Sequence, residues 1–196
     1  MREEYIGDSY DFVKQSFLRW LGGEWSVHPM FTEQVSDQGV EAYTAVLRNN
    51  NNNNIEIISR DELNVDRDGF CAAACNVPAN LFLDPDTGLT LNGGNPGWSH
   101  LTAAEIVKIV VNPVRTEFLT MVFDQSIDRN AGEPQQQTLD KLNYLQGQDV
   151  YAFAYVSHSC LIVASGKQGI TQDALRRVRN QSRLPCKRLI LSPAII

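Results

Sequence analysis

The chain has 196 residues, 43% hydrophobic and 20% charged, a balance that suits one globular domain over 1–196 and excludes a wholly disordered chain. A net charge of −6 argues against a dedicated duplex-DNA binder, and no apolar run reaches the ~18–20 residues that span a bilayer, so no membrane partner is expected. The acidic start Arg2-Glu3-Glu4 lacks the apolar core of a secretory signal, which makes a cytoplasmic location the expectation.

In chain order, Tyr10, Val13, Phe17, Trp20 and Leu21 recur at helical spacing, with Asp8 or Ser9 as N-cap and Gly22-Gly23 as the stop. The run from Trp25 to Phe31 predicts a short strand ending near Pro29. Thr32 to Leu47 reads as a second helix with a polar start. Asn49 to Asn54 is a run of six asparagines, a poor helix and strand former that predicts an exposed loop and carries no chemistry. Ile55 to Ile58 predicts a strand, followed by a charged connector, Arg60 to Asp68. The segment Phe70 to Cys75 is open between strand and short helix; Cys71 and Cys75 within it read as small buried residues, since no C-x-x-C pair exists.

Leu81-Phe82-Leu83 predicts a buried strand that stops abruptly at Asp84-Pro85-Asp86-Thr87-Gly88. A glycine-rich loop, Asn92 to Gly97, reads as a cover over a neighbouring site. Thr102-Ala103-Ala104-Glu105 is a capping box opening a helix that runs to about Val111. Phe118 to Phe123 predicts another apolar strand, stopping at Asp124-Gln125-Ser126. A polar stretch then leads into a helix bearing Leu139, Leu142 and Leu145. Val150 to Val156 is a strand ending at Ser157-His158-Ser159, Leu161 to Ala164 its hairpin partner, Thr171 to Gln181 a helix, and Leu189 to Leu191 a last strand. Strands alternating with helices predict an α/β three-layer sandwich, with a mainly parallel, Rossmann-like sheet and an antiparallel pair near one side.

Strand-end polar groups carry the chemistry. If the strands are parallel, His28, Asp84, Asp86, Asp124 and His158 gather on one rim, where open α/β sheets bind ligands. Asp84, Asp86 and Asp124 could supply the oxygen ligands of Mg2+ or Mn2+, which would polarise a phosphoryl oxygen. His28 or His158 would act as general base or acid, and Arg129 would neutralise phosphate charge. Zinc ligation, a P-loop, a dinucleotide fingerprint and a nucleophile elbow all lack their residues.

Leu81 to Thr90, an apolar strand followed by D-x-D and a threonine, resembles the first motif of haloacid-dehalogenase-like phosphatases. That resemblance implies Asp84 as nucleophile and Asp86 as acid–base. A broader one covers most of the chain. Asp84, Pro85, Asp86, Thr87 and Gly88, then Gln125 and Arg129, with Tyr10, Asp11 and Lys14 on the first helix and Pro29 to Glu33 after the first strand, resemble an uncharacterised bacterial and phage α/β family. It implies a shared site, adds Lys14 and Glu33 to it, and supplies no reaction.

The expected function is therefore divalent-metal-dependent hydrolysis of a phosphate ester, on a phosphate-containing small molecule or a nucleic-acid end. The alternative is a non-enzymatic protein of the same fold that binds a nucleotide-like ligand or a protein partner. Residues 171–196 hold six basic side chains against one acid, a net +5, while the rest of the chain carries −11. A protein partner would dock on that basic C-terminal segment; its plainer reading is a helix whose last turns complement the macrodipole.

Overall fold

A computed structural model describes residues 2–48, 54–63, 66–91, 99–127 and 133–195. Helix α1 (Ser9–Leu21) starts where the Asp8 carboxylate accepts the amides of Tyr10 and Asp11, and stops at Gly22 in a positive-φ conformation. Strand β1 (Trp25–His28) follows, and is buried throughout. The second helix, α2 (Asp37–Arg48), begins five residues later than its sequence pattern predicts. Ser36 sets that start: its Oγ accepts the Gly39 amide and its carbonyl the Val40 amide, both at 3.0 Å, while a positive-φ Met30 (φ 50°) turns the chain just after β1.

Strand β2 (Ile55–Ile57) leads to α3 (Arg67–Cys75), which settles the ambiguous Phe70–Cys75 segment as helix: Asp66 caps it through the Gly69 amide, and Phe70, Cys71, Ala74 and Cys75 form its buried face. Strand β3 (Asn80–Leu83) is followed by two short strands absent from the sequence reading. These are β4 (Gly88–Thr90) and β5 (His100–Thr102), which pair in parallel as a separate small sheet. The capping box opens α4 (Ala103–Val110) as expected. Strand β6 (Thr120–Asp124), helix α5 (Pro134–Gln146), the hairpin β7 (Tyr151–Val156) and β8 (Cys160–Ser165), helix α6 (Gln168–Ser182) and strand β9 (Leu189–Leu191) complete the order. Most of the asparagine run and the glycine-rich loop lie outside the described residues.

The main sheet has the order β2-β1-β3-β6-β8-β7-β9. Pairing is parallel from β2 to β6 and antiparallel from β6 to β9, so five of the seven strands run one way. Strand alternation sorts the core into two layers. Val27, Phe82, Met121 and Phe123 pack under α1, α2 and α6, while Leu81, Leu83 and Val122 pack under α3, α4 and α5. This is the expected α/β sandwich, its helices divided between the two faces. The chain leaves β1 for β2 on one side, then returns past β1 to β3 on the other. A topological switch point therefore lies between β1 and β3.

The opposite rim is closed by Arg115, whose buried guanidinium donates to the carbonyls of Val77, Ala79 and Leu119 and to Thr120 Oγ1 at 2.7–3.2 Å. Burial lowers its pKa to about 10. No helix among the described residues is long and apolar enough to cross a membrane.

Candidate functional site at the carboxyl rim of the sheet

Asp84 is the first residue past β3 and points to the α1 side, where it is 1% exposed. Its Oδ2 accepts from Lys14 Nζ at 2.8 Å and from the Tyr43 hydroxyl at 2.6 Å. Lys14 also donates to Asp11 Oδ1 at 2.8 Å and lies 4.3 Å from the centre of the Phe123 ring. Asp11 Oδ2 in turn accepts the Gly7 amide at 2.8 Å. Local sequence explains the placement: Asp11 and Lys14 sit one turn apart on the buried stripe of α1, together with Leu18 and Leu21. Burial alone would lower the Lys14 pKa, but the carboxylates of Asp84 and Asp11 outweigh it and raise the value. Burial first, and Asp84 second, push the Tyr43 phenol well above its ordinary value. Above this quartet opens a cavity of about 360 Å³, lined by Arg2, Tyr5, Asp8, Tyr10, Asp86 and Gln125 as well as the quartet's Asp11, Lys14 and Asp84.

Asp124, on the neighbouring strand, goes the other way. Leu83 is in register with Val122, so Asp84 is level with Phe123, and Asp124, one residue further, turns to the α5 face. There it is fully buried. Lys141 Nζ donates to its Oδ2 at 2.5 Å, and its Oδ1 accepts the amides of Leu89 at 2.9 Å and Ser126 at 3.0 Å. The glycine of the D-P-D-T-G stretch serves this arrangement. Gly88 has φ +104°, and a Cβ there would stand 2.3 Å from Asp124 Oδ1.

The remaining sequence candidates do not join them. His28 ends β1 but faces α3, ring to ring with Phe70 at 4.6 Å, and its Nδ1 accepts the Met30 amide. Burial lowers its pKa to about 4, which leaves the imidazole neutral near pH 7. His158 is exposed in the β7–β8 turn, and Glu33 is exposed after β1. Arg129 lies outside the described residues. Asp86 is half-buried and does line the Asp84 cavity. The basic side chains of α6 and beyond, Arg176, Arg177, Arg179, Arg183, Lys187 and Arg188, are exposed, with Arg176 paired to Asp173 at 2.9 Å. Cys71 is inert: burial, then Glu105, push its thiol up to about 12.

The three carboxylates expected to hold Mg2+ or Mn2+ are therefore not brought together. Asp84 and Asp86 share a cavity, Asp124 lies on the far side of the sheet, and a lysine neutralises each of the two buried acids. Among the described residues no group of three His, Cys, Asp or Glu side chains is assembled for a metal ion. The donor set does not fit a hard divalent cation, which takes at least six oxygen donors including its waters. Tyr43, Lys141 and Ser126 escaped sequence reasoning. A signal existed for Lys141, a cation on the buried stripe Thr138, Leu142, Leu145 of its helix.

No family model, curated protein or solved structure matches this chain. The two resemblances stated from the sequence rest on their motifs alone.

Proposed function

We propose that this protein binds a small polar organic ligand, nucleoside-like in size and chemistry, in the cavity above Asp84. The observation that carries the reading is that the cavity opens beyond the carboxyl ends of β3 and β6, one strand along from the switch point, on the rim that open α/β sheets use for ligands. Its volume lies at the small end of the ligand-pocket range. Tyr10 and Tyr5 offer aromatic surface for a flat ring, and Asp8 and Asp86 offer carboxylate oxygens to hydroxyls. Four carboxylates (Asp8, Asp11, Asp84, Asp86) face two cations (Arg2, Lys14), so the lining repels a phosphate and favours a neutral or cationic ligand. The buried quartet gives the cavity a rigid floor.

Binding without chemistry accounts for this geometry better than phosphoester hydrolysis, because Asp84 is held by Lys14 and Tyr43 in a posture that serves neither a metal nor a nucleophile. Calorimetric titration with the common nucleosides and their 5′-monophosphates, with and without magnesium, tests the reading. Saturable binding of a nucleoside, weakened by Tyr10→Ala and by a 5′-phosphate, is expected. Magnesium-dependent binding of the monophosphate with turnover to the nucleoside would replace it with the hydrolase.

A further inference from the structure

On the other face of the sheet, the end of β1 opens on a second cavity of about 740 Å³. His28 lines it and is 3% exposed. The ring's Nδ1 accepts the Met30 amide at 3.1 Å, so the proton of the neutral imidazole sits on Nε2. Among the described residues Nε2 has no hydrogen-bond partner. The sealed polar side-chain atoms left without partners among the described residues are Arg115 Nε and Ser192 Oγ. His28 Nε2 is not sealed among them, and as a lone donor it opens on the cavity.

A ligand acceptor placed there would take the place of the water that this donor otherwise meets. Ile58, Leu63, Phe70 and Ala73 give the wall an apolar character. The mouth is acidic: Asp61, Glu62 and Asp66 stand there against Arg60, which already pairs with Asp37 at 2.6 Å. An inner neutral donor suits an uncharged acceptor, a carbonyl or a ring nitrogen, while the acidic mouth suits a protonated amine and disfavours an anion.

We infer that this cavity is a second ligand site, for an amine-bearing molecule with an apolar body whose carbonyl or ring-nitrogen acceptor meets His28 Nε2–H. It is separate from the Asp84 cavity, from which the sheet divides it, and does not depend on the function proposed for that cavity.

The probe is 4-(aminomethyl)benzamide, which carries a carbonyl, a flat ring and an amine. Its controls are p-toluamide without the amine, benzylamine without the acceptor, and 4-(aminomethyl)benzoate with an anion in place of the amide. Long-range proton–nitrogen spectra of the full chain, labelled at its three histidines, read the His28 ring directly. The expected result is a saturable shift of His28 Nε2 with the full probe, at millimolar fragment affinity, and weaker binding of every control. Asp61→Asn with Glu62→Gln, both at the cavity mouth, should weaken the full probe about fivefold and leave p-toluamide unchanged. No shift at His28, a preference for the benzoate, or indifference to the paired substitution would each overturn the assignment.

Discussion

Two buried lysine–aspartate pairs stand at the ends of neighbouring strands, and they differ in what surrounds them. Asp124 itself is walled in: the chain after Gly88 folds back over the carboxylate, whose Oδ1 accepts from the amides of Leu89 and Ser126 and from the Ser126 hydroxyl, while Lys141 reaches another cavity of about 300 Å³. Asp84 and Lys14 are packed as deeply from below, yet they form the floor of an open cavity with aromatic and acidic walls. The same pairing is a fastening in one place and a platform in the other. A carboxylate at a strand end therefore indicates little until the space beyond it is known.

Removing one cation tests that contrast most severely. Lys141→Met leaves Asp124 charged, sealed and unpaired, and should cost about 3–5 kcal/mol in urea unfolding. Lys14→Met strips the cation from Asp11 as well as Asp84, yet should cost less, because the Gly7 amide and the Tyr43 hydroxyl still donate to the two acids and the cavity that both line admits water. Equal losses would break the comparison. The surviving Lys14 pair has an alkaline signature: its raised pKa stabilises the fold below the unfolded value near 10.5, and that contribution fades as pH climbs through the folded value.

Acid gives the next largest effect, and it comes from His28. Its folded pKa of about 4 lies below the ordinary 6.5, so the unfolded chain takes up the proton first. Stability should be whole above pH 6.5 and fall by up to about 3 kcal/mol as pH drops towards 4, an effect that His28→Phe should remove. Gly88→Ala should cost about 2 kcal/mol, since it forces a side chain into a positive-φ position beside Asp124. Tyr43→Phe is the mildest change, about 1.5 kcal/mol for a lost hydrogen bond to a charged group, with a weaker ligand as its second reading.

Most of the architecture was legible in the sequence, because the periodicities of α1, α4, β3 and β7 and the caps at Asp8 and Thr102 are local properties. The start of α2 was missed because the Ser36 cap sets it, and apolar spacing does not record a cap. The pair β4–β5 was missed because three-residue strands hold too few residues to show alternation. For the site, Asp84 does stand just past the end of its strand as its sequence predicts, while the expected convergence with Asp124 does not occur. Whether Asp84 and Asp124 share a face depends on the register of β3 against β6, and a one-residue difference sends them to opposite faces. His28 fails for the same reason, since it follows Val27 and so faces α3. Lys141 was the overlooked evidence: it interrupts an apolar helical stripe, as does Lys14, which only the family resemblance singled out, and that pattern announces a buried carboxylate somewhere opposite.

Anomalous diffraction from crystals soaked in manganese tests the central claim most directly, that the two strand-end acids are separately neutralised and compose no common metal centre. The account predicts Lys14 and Lys141 still bonded to Asp84 and Asp124, with no manganese held by both acids. A manganese ion coordinated jointly by Asp84 and Asp124, with the lysines displaced, would contradict it.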